Sequence, residues 1–291
     1  MTATRRKGRA LMYHFTRSVA LPLVAALLCA MPFEDARAQP DKGAKVQLDL
    51  GKIKADLESG NAQRMLGALE QVSAAGKEGV PAAQLVEALL RRGANPPVLE
   101  RALQVAGVLG QESSSEAVAP YMRHRAPQLR QAATDALTRT GGPKAIAALR
   151  GGLHARDPEV RSISARGLGE LGAQEAVEDL MRALHHDVKE ASAAIGKLCT
   201  AEQCTKFTEL LGKRPLESLL DGLEQILLRP STEVADTVKL GLVEKLANLR
   251  SPRVGEFLAS VSKQWPKHGS KKVKRAVDEA AESLGAGKAK P

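Results

Sequence analysis

Three sixteen-residue segments of this chain align without gaps at a spacing of 31 residues: NPPVLERALQVAGVLG from Asn95, APQLRQAATDALTRTG from Ala126 and DPEVRSISARGLGELG from Asp157. A motif one helix long, returning at a fixed interval, argues against a single closed core and for a stack of similar units. The matches fall where a helix needs them. Pro96, Pro127 and Pro158 occupy the first turn, where the missing N–H costs nothing. Asn95 and Asp157 are good N-caps just before that proline. Val98, Leu129 and Val160 begin the apolar stripe, and Gly110, Gly141 and Gly172 close the helices.

A second helix is expected after each first one, marked by apolar residues three apart: Val118/Tyr121, Ile146/Leu149, Val177/Leu180, Cys204/Phe207 and Val254/Phe257. That spacing gives a narrow stripe on one face. Neither helix of a pair can bury its stripe alone, so stacking has to do it. The frame of the first helices recurs with drift at Asn61, near Asp187 in a shortened copy with Cys199 in place of the glycine, and at Lys271–Gly285, where Val273, Lys274, Leu284 and Gly285 take the places of Val160, Arg161, Leu171 and Gly172. The stretches 216–228 and 233–249 read as helical but out of phase. The expectation is an all-α, right-handed α-solenoid of about six to seven helix pairs over 48–285. With 43% apolar and only 2% aromatic residues, its core is built from Ala, Leu and Val and lets helices approach closely.

DPEVRSISARGLGELG followed by AQEAVEDLMRAL resembles the HEAT repeat, in the short variety of bilin-lyase-like bacterial proteins. The resemblance covers most of 61–285 and is strongest over 95–184. It implies that Asp157 and Arg161, with Arg130 and Lys274 in the slot of Arg161, cap helices and form a ladder between repeats. It also implies that second helices line the concave side, so that Arg123, Arg150 and Arg182, on or beside their polar edges, are the residues expected to touch a partner. Such arrays serve as scaffolds, adaptors, inhibitors and occasionally enzymes, and function has to be argued from sites.

Ahead of the repeats, Arg5, Arg6, Lys7, Arg9 and Arg17 precede the apolar run Ser18–Phe33 and the small-x-small site Ala36-Arg37-Ala38. That order is the mark of a secretory signal cut between Ala38 and Gln39. With Pro22 and Pro32 inside it, the run falls short of the roughly 20 residues that span a bilayer. The expected organisation is a cleaved signal at 1–38, a linker at 39–47, the solenoid at 48–285 and a flexible tail at 286–291, in the periplasm or secreted, with no membrane insertion after cleavage. The leader holds six basic and two acidic residues, so the whole-chain charge of +10 falls to +6 without it. That balance demands no polyanion.

Cys199 and Cys204 remain after cleavage, at a helix-to-helix turn. An even count in an exported chain points to a disulfide, and residues five apart in a turn come within its reach; two buried thiols or a metal pair are the alternatives. His185 and His186 project about 100° apart on a helix and do not share one ion. None of the six histidines is followed by glutamate, which removes the di-iron hydroxylases that resemble this repeat, and there is no phosphate loop, G-x-S-x-G or H-E-x-x-H motif. The stretch Lys263–Arg275 holds six cations around Trp265, but one aromatic makes no stacking platform for nucleic acid. No catalytic, metal or cofactor residue is assigned. The expected function is an exported, non-enzymatic scaffold that holds another protein, one of the cell envelope, on the concave face; the alternatives are an accessory lyase acting on a bound small molecule and a self-associating envelope protein.

Overall fold

The repeat supplies both ends of its own helices. Asn95 Oδ1 accepts from the Val98 N–H at 3.2 Å, and Asp157 Oδ1 from the Glu159 N–H at 3.0 Å. Ala126 has no side-chain oxygen to offer, and its helix starts on Pro127 without a side-chain cap. At the far ends Gly110 and Gly172 have φ of 60° and 69°, in the left-handed region where a side chain is strained.

The computed structural model describes residues 48–285; the expected signal, linker and tail lie outside them. Among the described residues fifteen α-helices follow one another and there is no strand. They are α1 (Leu50–Glu58), α2 (Ala62–Ala74), α3 (Ala83–Arg92), α4 (Pro96–Leu109), α5 (Ser115–Val118), α6 (Pro127–Thr140), α7 (Gly142–Gly152), α8 (Pro158–Glu170), α9 (Val177–His185), α10 (Glu190–Leu198), α11 (Ala201–Thr208), α12 (Leu220–Leu228), α13 (Asp236–Asn248), α14 (Pro252–Lys263) and α15 (Lys271–Ser283). None of these is long and apolar enough to cross a membrane.

The even-numbered helices form one row, in which α4 packs on α6, α6 on α8, α8 on α10 and α10 on α12, and α12 reaches α14. The odd-numbered helices form the second row: α3 meets α5, α5 meets α7, α11 meets α13, and α13 packs on α15. This alternation is an α-solenoid. The out-of-phase stretch falls into it, with α12 in the first row and α13 in the second. One expectation is corrected. Lys271–Gly285 does not continue the first helices; α15 lies on α13 in the second row, and α14, with Val254 and Phe257, is the first-row helix. The opening Ser251-Pro252-Arg253-Val254 repeats Asp157-Pro158-Glu159-Val160, and order along the chain then puts α15 opposite.

The core runs continuously along both rows and is mostly Ala, Leu and Val, with Phe207 the largest fully buried side chain. Polar ties bridge neighbouring repeats at the same interval as the sequence: the Tyr121 hydroxyl donates to the Leu90 carbonyl at 2.6 Å, and Arg101 pairs with Glu70 at 2.6 Å, each across 31 residues. Burial raises the Tyr121 phenol above its ordinary range.

Cys199 and Cys204 are joined by a disulfide, with Cα atoms 5.2 Å apart and no exposure to solvent. Arg229 secures the same turn by donating to the Cys199 carbonyl at 2.8 Å. The loop that the bridge closes is tiny, and its entropic contribution scales with the logarithm of loop length, so Cys199→Ala/Cys204→Ala is expected to cost about 2 kcal/mol. Far-ultraviolet circular dichroism should stay native at 25 °C, and loss of all helical signal in the double variant would refute this estimate.

Candidate interaction groove

The shortest helix of the second row is α5. Pro120 has no N–H to donate and opposes a continued α-helix, so after the four residues of α5 the chain tightens into a 3-10 segment over Ala119–Arg123. Its neighbour α7 ends in Gly151-Gly152, two positions without side chains. A curtailed helix beside a bare helix end leaves a groove of about 790 Å³.

Small residues make up much of its lining, with Ala119, Ala147, Ala148, Gly151, Gly152 and Ala155 joined by Pro120, Met122 and Val160. A Cβ on Gly152 would lie 2.2 Å from Ser164 Oγ and 2.7 Å from Met122 Cε, so the glycine is required by the packing beneath. Ser164 is wholly buried, and its hydroxyl has no hydrogen-bond partner among the described residues.

Several polar groups of the lining are already engaged. The Ser115 hydroxyl lies 2.9 Å from Thr140 Oγ1 and 3.0 Å from the Gly141 carbonyl oxygen. Glu116 pairs with Lys144 at 2.8 Å, and the hydrogen bond and charge of Lys144 hold the Glu116 carboxyl below its usual range. Arg123 is exposed and has no ion-pair partner among the described residues. His154 completes the lining.

The three arginines expected at a partner are thus placed differently. Arg123 lines the groove. Arg150 of α7 and Arg182 of α9 converge on one carboxylate, the buried Asp179, from neighbouring repeats. Their side chains remain 43% and 60% exposed, so both arginines stay accessible while holding Asp179. The residues assigned to a ladder also divide. Arg130 donates to Asp157 Oδ2 from Nη2 at 2.7 Å and from Nε at 3.2 Å, a rung across 27 residues. Arg161 reaches no carboxylate among the described residues and donates to the Ala155 and Arg156 carbonyls, closing its own turn. The next aspartate along, Asp187, is held by Arg214 at 2.8 Å. Lys274 bonds Asp278 one turn on and Ser262 of α14, consistent with the second-row place of α15. No group of His, Cys, Asp and Glu among the described residues could hold a metal ion.

Fold and repeat together define an α-solenoid. Residues 82–156 match the HEAT repeats family and residues 160–186 the PBS lyase HEAT-like repeat. Among solved structures, the chain is similar to the complex of CpcE and CpcF of phycocyanin lyase from Nostoc sp. PCC7120, at 18% identity over 85% of this chain and 98% of that one, with a TM-score of 0.45. It is also similar to a designed armadillo repeat protein in complex with the peptide (KR)4 (14% identity, 81% and 99% covered, TM-score 0.40) and to human deoxyhypusine hydroxylase (15%, 82% and 96%, TM-score 0.37). No curated protein matches the chain.

Proposed function

We propose that the chain is an exported scaffold, not an enzyme, whose second helices hold another protein of the cell envelope. The observation that carries this reading is the groove between α5 and α7, with the unpaired Arg123 in its lining and the exposed Arg150–Asp179–Arg182 clamp on the next pair of helices. Long open rows of this kind present extended surface to a partner, and arginine is enriched at protein interfaces. Within the groove, Ser115 and Glu116 are bonded to the protein itself, which favours holding over chemistry. The export half of the reading rests on the basic, apolar and small-x-small order of the first 38 residues.

A photo-crosslinking residue in place of Ala147, inside the groove, is expected to yield one dominant crosslinked protein in living cells, recovered from the envelope fraction. The same residue at Arg166, on the first-row helix α8, should not give that product. Identical products at both positions, or no product at Ala147, would count against the groove as the holding surface, and products of cytoplasmic origin would count against export.

A further inference from the structure

Resting on the reading of the groove as the holding surface, we infer that its occupant is an extended, acidic segment of the partner with small side chains facing the floor. The shape argues for the small side chains. Much of the floor is alanine and glycine, with Gly151 and Gly152 allowing a backbone to lie close. The floor is closed under Gly152, where Met122 and Ser164 fill the space.

Charge complementarity argues for the acid. Of the charged residues in the lining, Glu116 and Lys144 neutralise each other, and Arg123 is left over. On α7 and α9, Arg150 and Arg182 share the single carboxylate of Asp179. From Arg123 through Arg182, these three guanidinium groups therefore face one carboxylate, and a carboxylate arriving at Arg123 gains a charge-assisted hydrogen bond with no ion pair to break first. Neither nearby hydroxyl is on offer: Ser115 is bonded within the protein, and Ser164 is buried out of reach of solvent. A basic segment would meet the unpaired Arg123 and be repelled.

The test uses the intact protein and three fluorescein-labelled eight-residue peptides in which alanine alternates with aspartate, serine or lysine, read by fluorescence anisotropy at low salt. The aspartate peptide is expected to bind about tenfold more tightly than the serine peptide, with the lysine peptide weakest, and raising the salt should shrink the gap. Arg123→Glu should abolish the preference for aspartate. Ala148→Trp should fill the floor and weaken the aspartate and serine peptides alike by about tenfold, with the melting curve confirming that the variant folds. Equal binding of all three peptides, or aspartate binding that survives both Arg123→Glu and a folded Ala148→Trp, overturns the inference. Absence of any peptide binding overturns it too, and if Ala147 still crosslinks a partner in cells, the scaffold reading stands without it.

Discussion

Gly196→Ala is expected to unfold the end of the stack around α10 and α12 while the repeats before Gly172 stay folded. A Cβ at Gly196 would lie 2.2 Å from the Gly222 carbonyl oxygen and 2.8 Å from Gly222 Cα. Those are backbone atoms of the facing helix, and they have no rotamer to change. The reverse contact is as tight: a Cβ at Gly222 would meet the Ser192 carbonyl oxygen at 2.4 Å and Phe207 Cζ at 2.7 Å. At the same contact the Gly222 N–H donates to Ser192 Oγ at 3.1 Å, and the Ser192 hydroxyl donates to the Leu219 carbonyl at 3.1 Å. Separating the helices to admit a methyl group would break that pair of bonds as well. Overpacking of a closed core costs about 3 kcal/mol at its upper end, and here nothing flexible absorbs it. In a solenoid each repeat contacts only its neighbours, so the damage should be local. Urea titration followed by circular dichroism should show an early transition that removes only part of the helical signal. Hydrogen exchange should then report lost protection in α10–α12 but not in α4–α6. Gly241→Ala in α13 is the matching control. Nothing lies within 4 Å of its added Cβ, so it should stabilise by about 1 kcal/mol through helix propensity alone. A single, unshifted transition for Gly196→Ala would show that α10 and α12 are not packed this closely.

The contact between Gly196 and Gly222 illustrates where the sequence speaks and where it is silent. An interior glycine weakens a helix, and a core poor in aromatics signals close approach in general. Which two glycines face one another depends on the packing of α10 on α12, and no local pattern encodes that. The first helices α4, α6 and α8 are legible because proline, apolar stripe and closing glycine sit within sixteen residues, with a side-chain cap added on α4 and α8. The phase of α14 was legible as well, in Ser251-Pro252-Arg253-Val254, but the stronger apparent match of Lys271–Gly285 masked it. Helical amphipathicity alone does not distinguish the rows, since both bury one stripe.

For the groove the balance is different. Arg123 could be picked out as a polar-edge residue, yet the reason it matters is Pro120, which cuts α5 short, and Gly151-Gly152, which strips the end of α7. Both are visible as breaks in an otherwise regular helix pattern. Pro120, between Val118 and Tyr121, breaks what their spacing alone presents as an ordinary helical pair. In α7 the wholly buried pair is Ala145 and Leu149, and Ile146 is only partly buried, so the stripe is turned by one residue from the expected Ile146/Leu149. Asp179 had no sequence signal at all. It is one acid among several on α9, and only the fold brings Arg150, 29 residues away, onto it.

Asp157 joins both levels in one side chain, and its removal is the second large effect expected. Oδ1 accepts from the Glu159 N–H as the cap of α8, while Oδ2 accepts two bonds from the Arg130 guanidinium of the preceding repeat. Loss of a cap costs about 1 kcal/mol, and loss of hydrogen bonds to a charged group about 2 kcal/mol. Asp157→Ala should therefore destabilise by about 3 kcal/mol. Asp157→Asn keeps an oxygen for the cap but gives up the charge facing Arg130, so it should lose about 2 kcal/mol. The two causes separate further with pH. Burial pushes the Asp157 carboxyl up, but the hydrogen bond and charge of Arg130 and the N–H groups of Glu159 and Val160 outweigh it and hold the carboxyl below its ordinary value of 3.8. A carboxyl depressed by folding adds stability that is fully present above 3.8 and disappears as the pH falls through the lower value of the folded state. The gap in urea midpoint between the native protein and Asp157→Asn should accordingly be constant from neutral pH down to about 5 and close progressively below 3.8. A gap as wide at pH 2 as at pH 7 would mean that Arg130 gains nothing from the charge on Asp157, and the rung would then be a matter of shape alone.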